Sequence, residues 1–90
     1  TSVNEVVCHG IPTKNKILKD GDIINIDVSP ILNGYYGDTS RMFFVGTPSK
    51  KAKKLVEVTT ECLWAGIREV APDKRVGDIG AAIQEIAESH

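Results

Sequence analysis

The sequence predicts an α+β domain, an antiparallel sheet with helices packed on one face. Three observations carry this. Apolar and polar residues alternate over Ser2–Gly10 and over the two runs Ile23–Leu32 and Tyr35–Val45, the period of a strand. Asn33-Gly34 separates those two runs, and this dipeptide favours a type I′ hairpin turn because both of its residues tolerate positive φ. Past Thr47 the apolar spacing changes to the helical three-and-four repeat.

Taken in order, the first strand is expected over residues 2–9, with Val3, Glu5 and Val7 on one side and Asn4, Val6 and Cys8 on the other. A polar connector follows, punctuated by Pro12 and by the turn signal Asp20-Gly21. The hairpin spans 23–45. Thr47-Pro48 reads as a helix start, with Thr47 as N-cap and Pro48 in the first helical position. Ala52, Leu55, Val56, Cys62, Leu63, Ile67 and Val70 give that helix, 48–70, its apolar stripe, and Pro72 ends it. Lysines 50, 51, 53 and 54 fall on its wet side. Trp64 reads as partly buried packing in the same helix. A second helix, 76–90, would bury Val76, Ile79, Ile83 and Ile86, while Gly77, Gly80, Ala81 and Ala82 would let a neighbour approach closely.

Ninety residues make one modest domain, and a formal net charge of −1 gives no reason to expect nucleic acid or an anionic membrane as partner. No apolar run approaches a membrane span. Two cysteines are too few for a disulfide framework; they are expected as free thiols in a reducing compartment, the cytoplasm, with Cys8 a packed small side chain. The chain opens one residue before a strand and stops inside a helical pattern, so a piece of a longer protein is expected.

The chemistry concentrates in the hairpin. With a two-residue loop, Asp27 opposes Ser40 and Ser29 opposes Asp38, which puts Asn25, Asp27, Ser29, Asp38 and Ser40 on one face. Ile24, Ile26, Val28, Phe43 and Val45 take the other. Asp27 and Asp38 are then diagonal neighbours, with Cβ atoms roughly 7–8 Å apart. Carboxylates this close repel. Solvent, a shared proton or a cation would each resolve the conflict, and with carboxylate ligands the cation would be a hard divalent ion such as Mn²⁺, Mg²⁺, Fe²⁺ or Co²⁺. Residue types alone leave these three open. A one-residue bulge near Pro30 would change the parity.

The words of the sequence narrow the choice. "SVNEVVCHGIP", "LKDGDIINIDV" and "NGYYGDTSRMFFVG", in this order and spacing, resemble the type I methionine aminopeptidases, and "IGAAIQEIAE" continues the likeness. Prolidases and Xaa-Pro aminopeptidases share the hairpin motif, but "SVNEVVCHGIP" is closer to the methionine enzymes. The resemblance implies part of a pita-bread fold around two divalent metal ions, and removal of the initiator methionine from nascent polypeptide N-termini, at the ribosome, by a monomeric enzyme. It implies that Asp27 binds metal, that Asp38 bridges both ions, and that His9 of "CHGIP" contacts the substrate. It further implies a monovalent cation held by backbone oxygens near Asn4 and Val6. The family's other metal ligands, one histidine and two glutamates, have no match in these residues, so the chain by itself is expected to lack useful peptidase activity. A proline-directed exopeptidase, or a non-catalytic binding protein of the same fold, are the competing expectations.

Overall fold

A computed structural model describes residues 1–90 as two compact units, Thr1–Ser49 and Lys50–His90, each considered by itself. The first unit is built on a three-stranded antiparallel sheet of β1 (Ser2–Val3), β2 (Ile23–Val28) and β5 (Thr39–Phe44), in the order β1-β2-β5. A two-stranded tip, β3 (Ile31–Leu32) and β4 (Tyr35–Tyr36), extends the hairpin.

The first strand is two residues long rather than eight. Asn4 leaves the ladder by turning into the left-handed region at φ 52°. Its backbone N–H still donates to the Ile23 carbonyl at 3.0 Å, but the Ile23 N–H is met by the Asn4 side-chain Oδ1, also at 3.0 Å. The carboxamide thus takes the place the backbone carbonyl would hold, and the chain bends away. Asparagine is among the few non-glycine residues that tolerate this conformation. The expected alternation of side chains over 5–9 therefore has no sheet to act on, and Cys8 is exposed instead of packed.

The hairpin keeps one register throughout. Asp27 opposes Ser40, Val28 opposes Thr39, Ile31 opposes Tyr36 and Leu32 opposes Tyr35. Asn33 and Gly34, at φ 52° and 83°, form the turn. The ladder breaks between its two pieces because Pro30 has no N–H to give. The Pro30 carbonyl accepts from Gly37 N–H at 2.9 Å, and the reciprocal bond has no donor.

The open end of the hairpin is fastened twice. Gly21 N–H donates to the Val45 carbonyl at 2.7 Å and Val45 N–H to the Asp22 carbonyl at 2.9 Å. Asp20 Oδ1 accepts from Thr47 N–H at 2.8 Å. The following helix begins at Lys50, so the position directly before it is Ser49 and not the expected Thr47, whose N–H is held by Asp20.

The second unit is a helix pair, α1 (Lys50–Arg68) and α2 (Val76–Glu88). The last turn of α1 tightens through bonds from Glu69 N–H to the Gly66 carbonyl and from Val70 N–H to the Ile67 carbonyl. At the start of α2, the Arg75 N–H donates to Asp78 Oδ2 at 2.8 Å, one half of a capping box.

The helices meet through small side chains. Cys62, Ala65 and Gly66 are the buried residues of α1, and a Cβ at Gly66 would stand 2.9 Å from Ile83 Cδ1 and 3.2 Å from Ile79 Cγ2. The close approach lies on α1, whereas Gly77 and Gly80 of α2 face open space. Ile79, Ala82, Ile83 and Ile86 are half-buried, but Val76, in the first position of α2, is 86% exposed. Leu55, Leu63, Trp64, Ile67 and Val70 also remain exposed. The broad stripe of α1 thus divides into a seam of small residues covered by α2 and a row of large ones that α2 does not reach. No helix is long and apolar enough to cross a membrane.

Candidate functional site

The polar face of the β2–β5 pair is the chemical surface of the first unit. Asn25, half-buried, donates from Nδ2 to Ser40 Oγ at 2.6 Å and lies 3.5 Å from Met42 Sδ. Asp27 is two residues along the same strand and directly opposite Ser40. Asp38 sits in the ladder gap, at the position that the unbroken register sets opposite Ser29. Alternation then gives Asn25, Asp27, Asp38 and Ser40 one common face.

Asp27 and Asp38 are both exposed, and neither pairs with a basic side chain; the ion pairs of the chain are Lys53–Glu57 and Lys74–Glu69, both in the second unit. Their lone pairs are open, the condition a divalent cation needs from a carboxylate donor. The donor set is incomplete, because nowhere do three His, Cys, Asp or Glu side chains converge on a metal-binding position. The residues present fit the carboxylate side of a hard-metal site and supply only that side.

His9 lies in the connector between β1 and β2. It follows Cys8 in the connector, adopts φ 53°, and is exposed. Its place is set by its neighbour: the Gly10 N–H donates to Ser2 Oγ at 3.2 Å, and a Cβ on Gly10 would overlap the Thr1 carbonyl oxygen. Glycine at this position lets "CHGIP" fold back onto β1. His9 lines a cleft of about 420 Å³ with Val3, Val6, Pro12, Leu18 and Ile24. The hairpin register gives the two aspartates one common face.

Asn4 is tied to Asp22 as well as to Ile23. Its Nδ2 donates to Asp22 Oδ1 at 2.9 Å, and the Lys19 N–H donates to Asp22 Oδ2, also at 2.9 Å. These two bonds, the Asn4 amide first, hold the Asp22 carboxyl below its ordinary pKa. Val6 is anchored by its N–H to the Val3 carbonyl at 3.1 Å. Asn25 and Ser40 lie on the face that alternation assigns them, whereas nothing in the sequence marks Asp22 as a framework residue. The alternation that places Asp27 puts Asn25 and Ser40 on its face, so this signal was present in the hairpin register.

The family model for metallopeptidase family M24 matches residues 1–90. Methionine aminopeptidase A of Synechocystis sp. is 63% identical over 89 residues, covering 99% of this chain and 35% of that protein. The methionine aminopeptidase of Rickettsia prowazekii is 57% identical over 90 residues, covering 100% of this chain and 34% of that protein. The crystal structure of methionine aminopeptidase from Rickettsia prowazekii superposes with a TM-score of 0.93 at 56% identity, over 99% of this chain and 36% of that one. The chain spans about a third of the length of the relatives it matches.

Proposed function

The chain belongs to metallopeptidase family M24, and from that premise we propose that it carries the two-aspartate side of the active site of a methionine aminopeptidase. Its α+β fold is the corresponding part of the pita-bread fold. One observation supports the activity most directly: Asp27 of "NIDV" and Asp38 of "GDTS" stand unpaired on one polar face of a hairpin whose register is unbroken.

In this reading Asp27 and Asp38 would hold the divalent ions, Asp38 as the ligand shared between them. When bound, such ions lower the pKa of a water molecule and polarise the scissile carbonyl. The adjacent strands hold the carboxylates at a fixed spacing, so little reorganisation is needed to receive cations. His9 contacts the substrate peptide, and a neutral imidazole can donate a hydrogen bond to it. Asn4 and Val6 offer backbone oxygens to a monovalent cation. The side-chain oxygen of Asn4 already serves the Ile23 N–H, which leaves the backbone carbonyl of Asn4 outside the ladder.

The remaining ligands, a histidine and two glutamates, belong to a part of the protein beyond these residues. The substrates are N-termini of nascent polypeptides bearing the initiator methionine, met in the cytoplasm at the ribosome. Hydrolysis of a Met-Ala-Ser peptide by the full-length protein is the assay. Asp38→Ala is expected to abolish both turnover and binding of the second metal ion, whereas His9→Ala is expected to lower kcat/KM and leave metal affinity unchanged. An unaffected rate in Asp38→Ala would overturn the bridging role. Preference for Xaa-Pro over Met-Ala peptides would assign the site to a proline-directed exopeptidase instead.

A further inference from the structure

Residues 4–6 carry three backbone carbonyls that the chain itself does not use. The Val6 N–H donates to the Val3 carbonyl at 3.1 Å and closes a tight turn, while the carbonyls of Asn4, Glu5 and Val6 accept no hydrogen bond. Carbonyl oxygens are the ligands that replace the hydration shell of an alkali cation. They serve best when they are already fixed, because a segment that orders itself on binding loses affinity to entropy.

Asn4 is fixed through both ends of its carboxamide. Oδ1 accepts from the Ile23 N–H at 3.0 Å, and Nδ2 donates to Asp22 Oδ1 at 2.9 Å. Asp22 is in turn tied down on three sides. Its Oδ2 accepts from the Lys19 N–H at 2.9 Å, its N–H donates to the Lys19 carbonyl at 3.1 Å, and its carbonyl accepts from the Val45 N–H at 2.9 Å. We infer that Asp22 is a positioning residue for a monovalent cation held by the backbone carbonyls of Asn4 and Val6. It acts through Asn4, whose carboxamide it keeps on the Ile23 N–H.

The physical basis is a competition for one donor. In an ordinary antiparallel pair the Ile23 N–H would take the Asn4 backbone carbonyl, and β1 would run on past Val3. Here the Asn4 side chain takes that donor, residue 4 turns to φ 52°, and its carbonyl is released from the ladder. Without Asp22 the carboxamide is free to rotate off Ile23, and the carbonyl returns to the ladder. This role rests on the monovalent-cation reading above and adds Asp22 to it.

The test is thermal unfolding of the full-length protein at constant chloride, with K⁺ and, separately, Na⁺ replacing choline, which is too bulky to sit among carbonyls. A cation that binds the folded state raises the unfolding temperature once its concentration passes the dissociation constant. The parent is expected to show this rise with at least one of the two ions. In Asp22→Ala the rise is expected to need about tenfold more cation, the usual effect of losing a group that orients a ligand. Asp22→Asn is expected to fall between them, since one carboxamide oxygen can serve the Asn4 amide but not the Lys19 N–H as well. Gly66→Val, which strains only the helix pair, is expected to lower the unfolding temperature and leave the cation concentration of the rise unchanged. A parental concentration dependence in Asp22→Ala, or an equal displacement in Gly66→Val, overturns the positioning role. Should Asp22→Ala fail to fold, Asp22→Asn decides, and a parental dependence in it overturns the role. A parent indifferent to both ions overturns the cation reading with it, whereas turnover of Met-Ala-Ser by that same parent would leave the peptidase reading standing.

Discussion

Replacing Asn4 by alanine should unfasten β1 from β2, and the expected loss can be worked from three contacts. The Ile23 N–H, part-buried, loses its acceptor at Asn4 Oδ1; leaving such a donor unmet costs about 1–3 kcal/mol. Alanine must also occupy φ 52°, where a non-glycine residue without a polar side chain is disfavoured by about 1–2 kcal/mol. Together these give about 2–5 kcal/mol, and loss of the bond from Asn4 Nδ2 to Asp22 acts in the same direction. Urea unfolding of the purified protein at pH 7 reads the total. Asn4→Gly separates the parts, because glycine tolerates the backbone conformation but leaves the Ile23 N–H unmet. It should therefore fall between the parent and Asn4→Ala. Asp22 gives an independent readout. Its carboxyl, held low chiefly by the Asn4 amide, should titrate closer to the ordinary carboxylate value in Asn4→Ala. An unfolding free energy within about 0.5 kcal/mol of the parent would refute the reasoning, since it lies well below the unmet donor alone. So would an Asp22 titration, followed by carboxyl NMR, that does not move.

Acid should act through the same residue. Because the folded pKa of Asp22 is depressed, its contribution is complete above the unfolded value near 3.9 and is lost as pH falls through the lower folded value. The gap in unfolding free energy between Asn4→Ala and the parent is therefore expected to narrow below about pH 4, measured by urea unfolding along a pH series. Gly66→Val should separate the helix pair, since even one Cβ would stand 2.9 Å from Ile83 Cδ1; overpacking of this kind costs about 1–3 kcal/mol. Gly66→Ala should lose less, because about 1 kcal/mol of helix propensity is returned, and far-ultraviolet circular dichroism against temperature would rank the two. Gly46→Ala should be more damaging than a surface change, by about 2 kcal/mol, because Gly46 sits at φ 63° and an added Cβ would overlap Asp20 Oδ1 and dislodge it from the Thr47 N–H. Exchange of the Thr47 amide with solvent deuterium should accelerate in that variant.

By itself the sequence determined the hairpin register and the face on which the aspartates meet. The reason is local: a two-residue Asn-Gly turn leaves one pairing parity, and side-chain alternation does the rest. The motifs around Asp27 and Asp38 also determined the family, because they are contiguous words. Tertiary structure decided what depends on partners distant along the chain. β1 stops at Val3 because Asn4 finds Asp22 and Ile23, nearly twenty residues away, and alternation over residues 2–9 carries no trace of them. The apolar stripe of α1 was legible as a stripe, but α2 settled on the seam of Cys62, Ala65 and Gly66 and left Leu63 and Ile67 exposed. Steric fit against Ile79 and Ile83 made that choice, and periodicity does not encode it. His9 shows the same division. Its motif marked it, but where it lies followed from Gly10 closing on the backbone of Thr1 and Ser2, a contact between segments that only folding brings together.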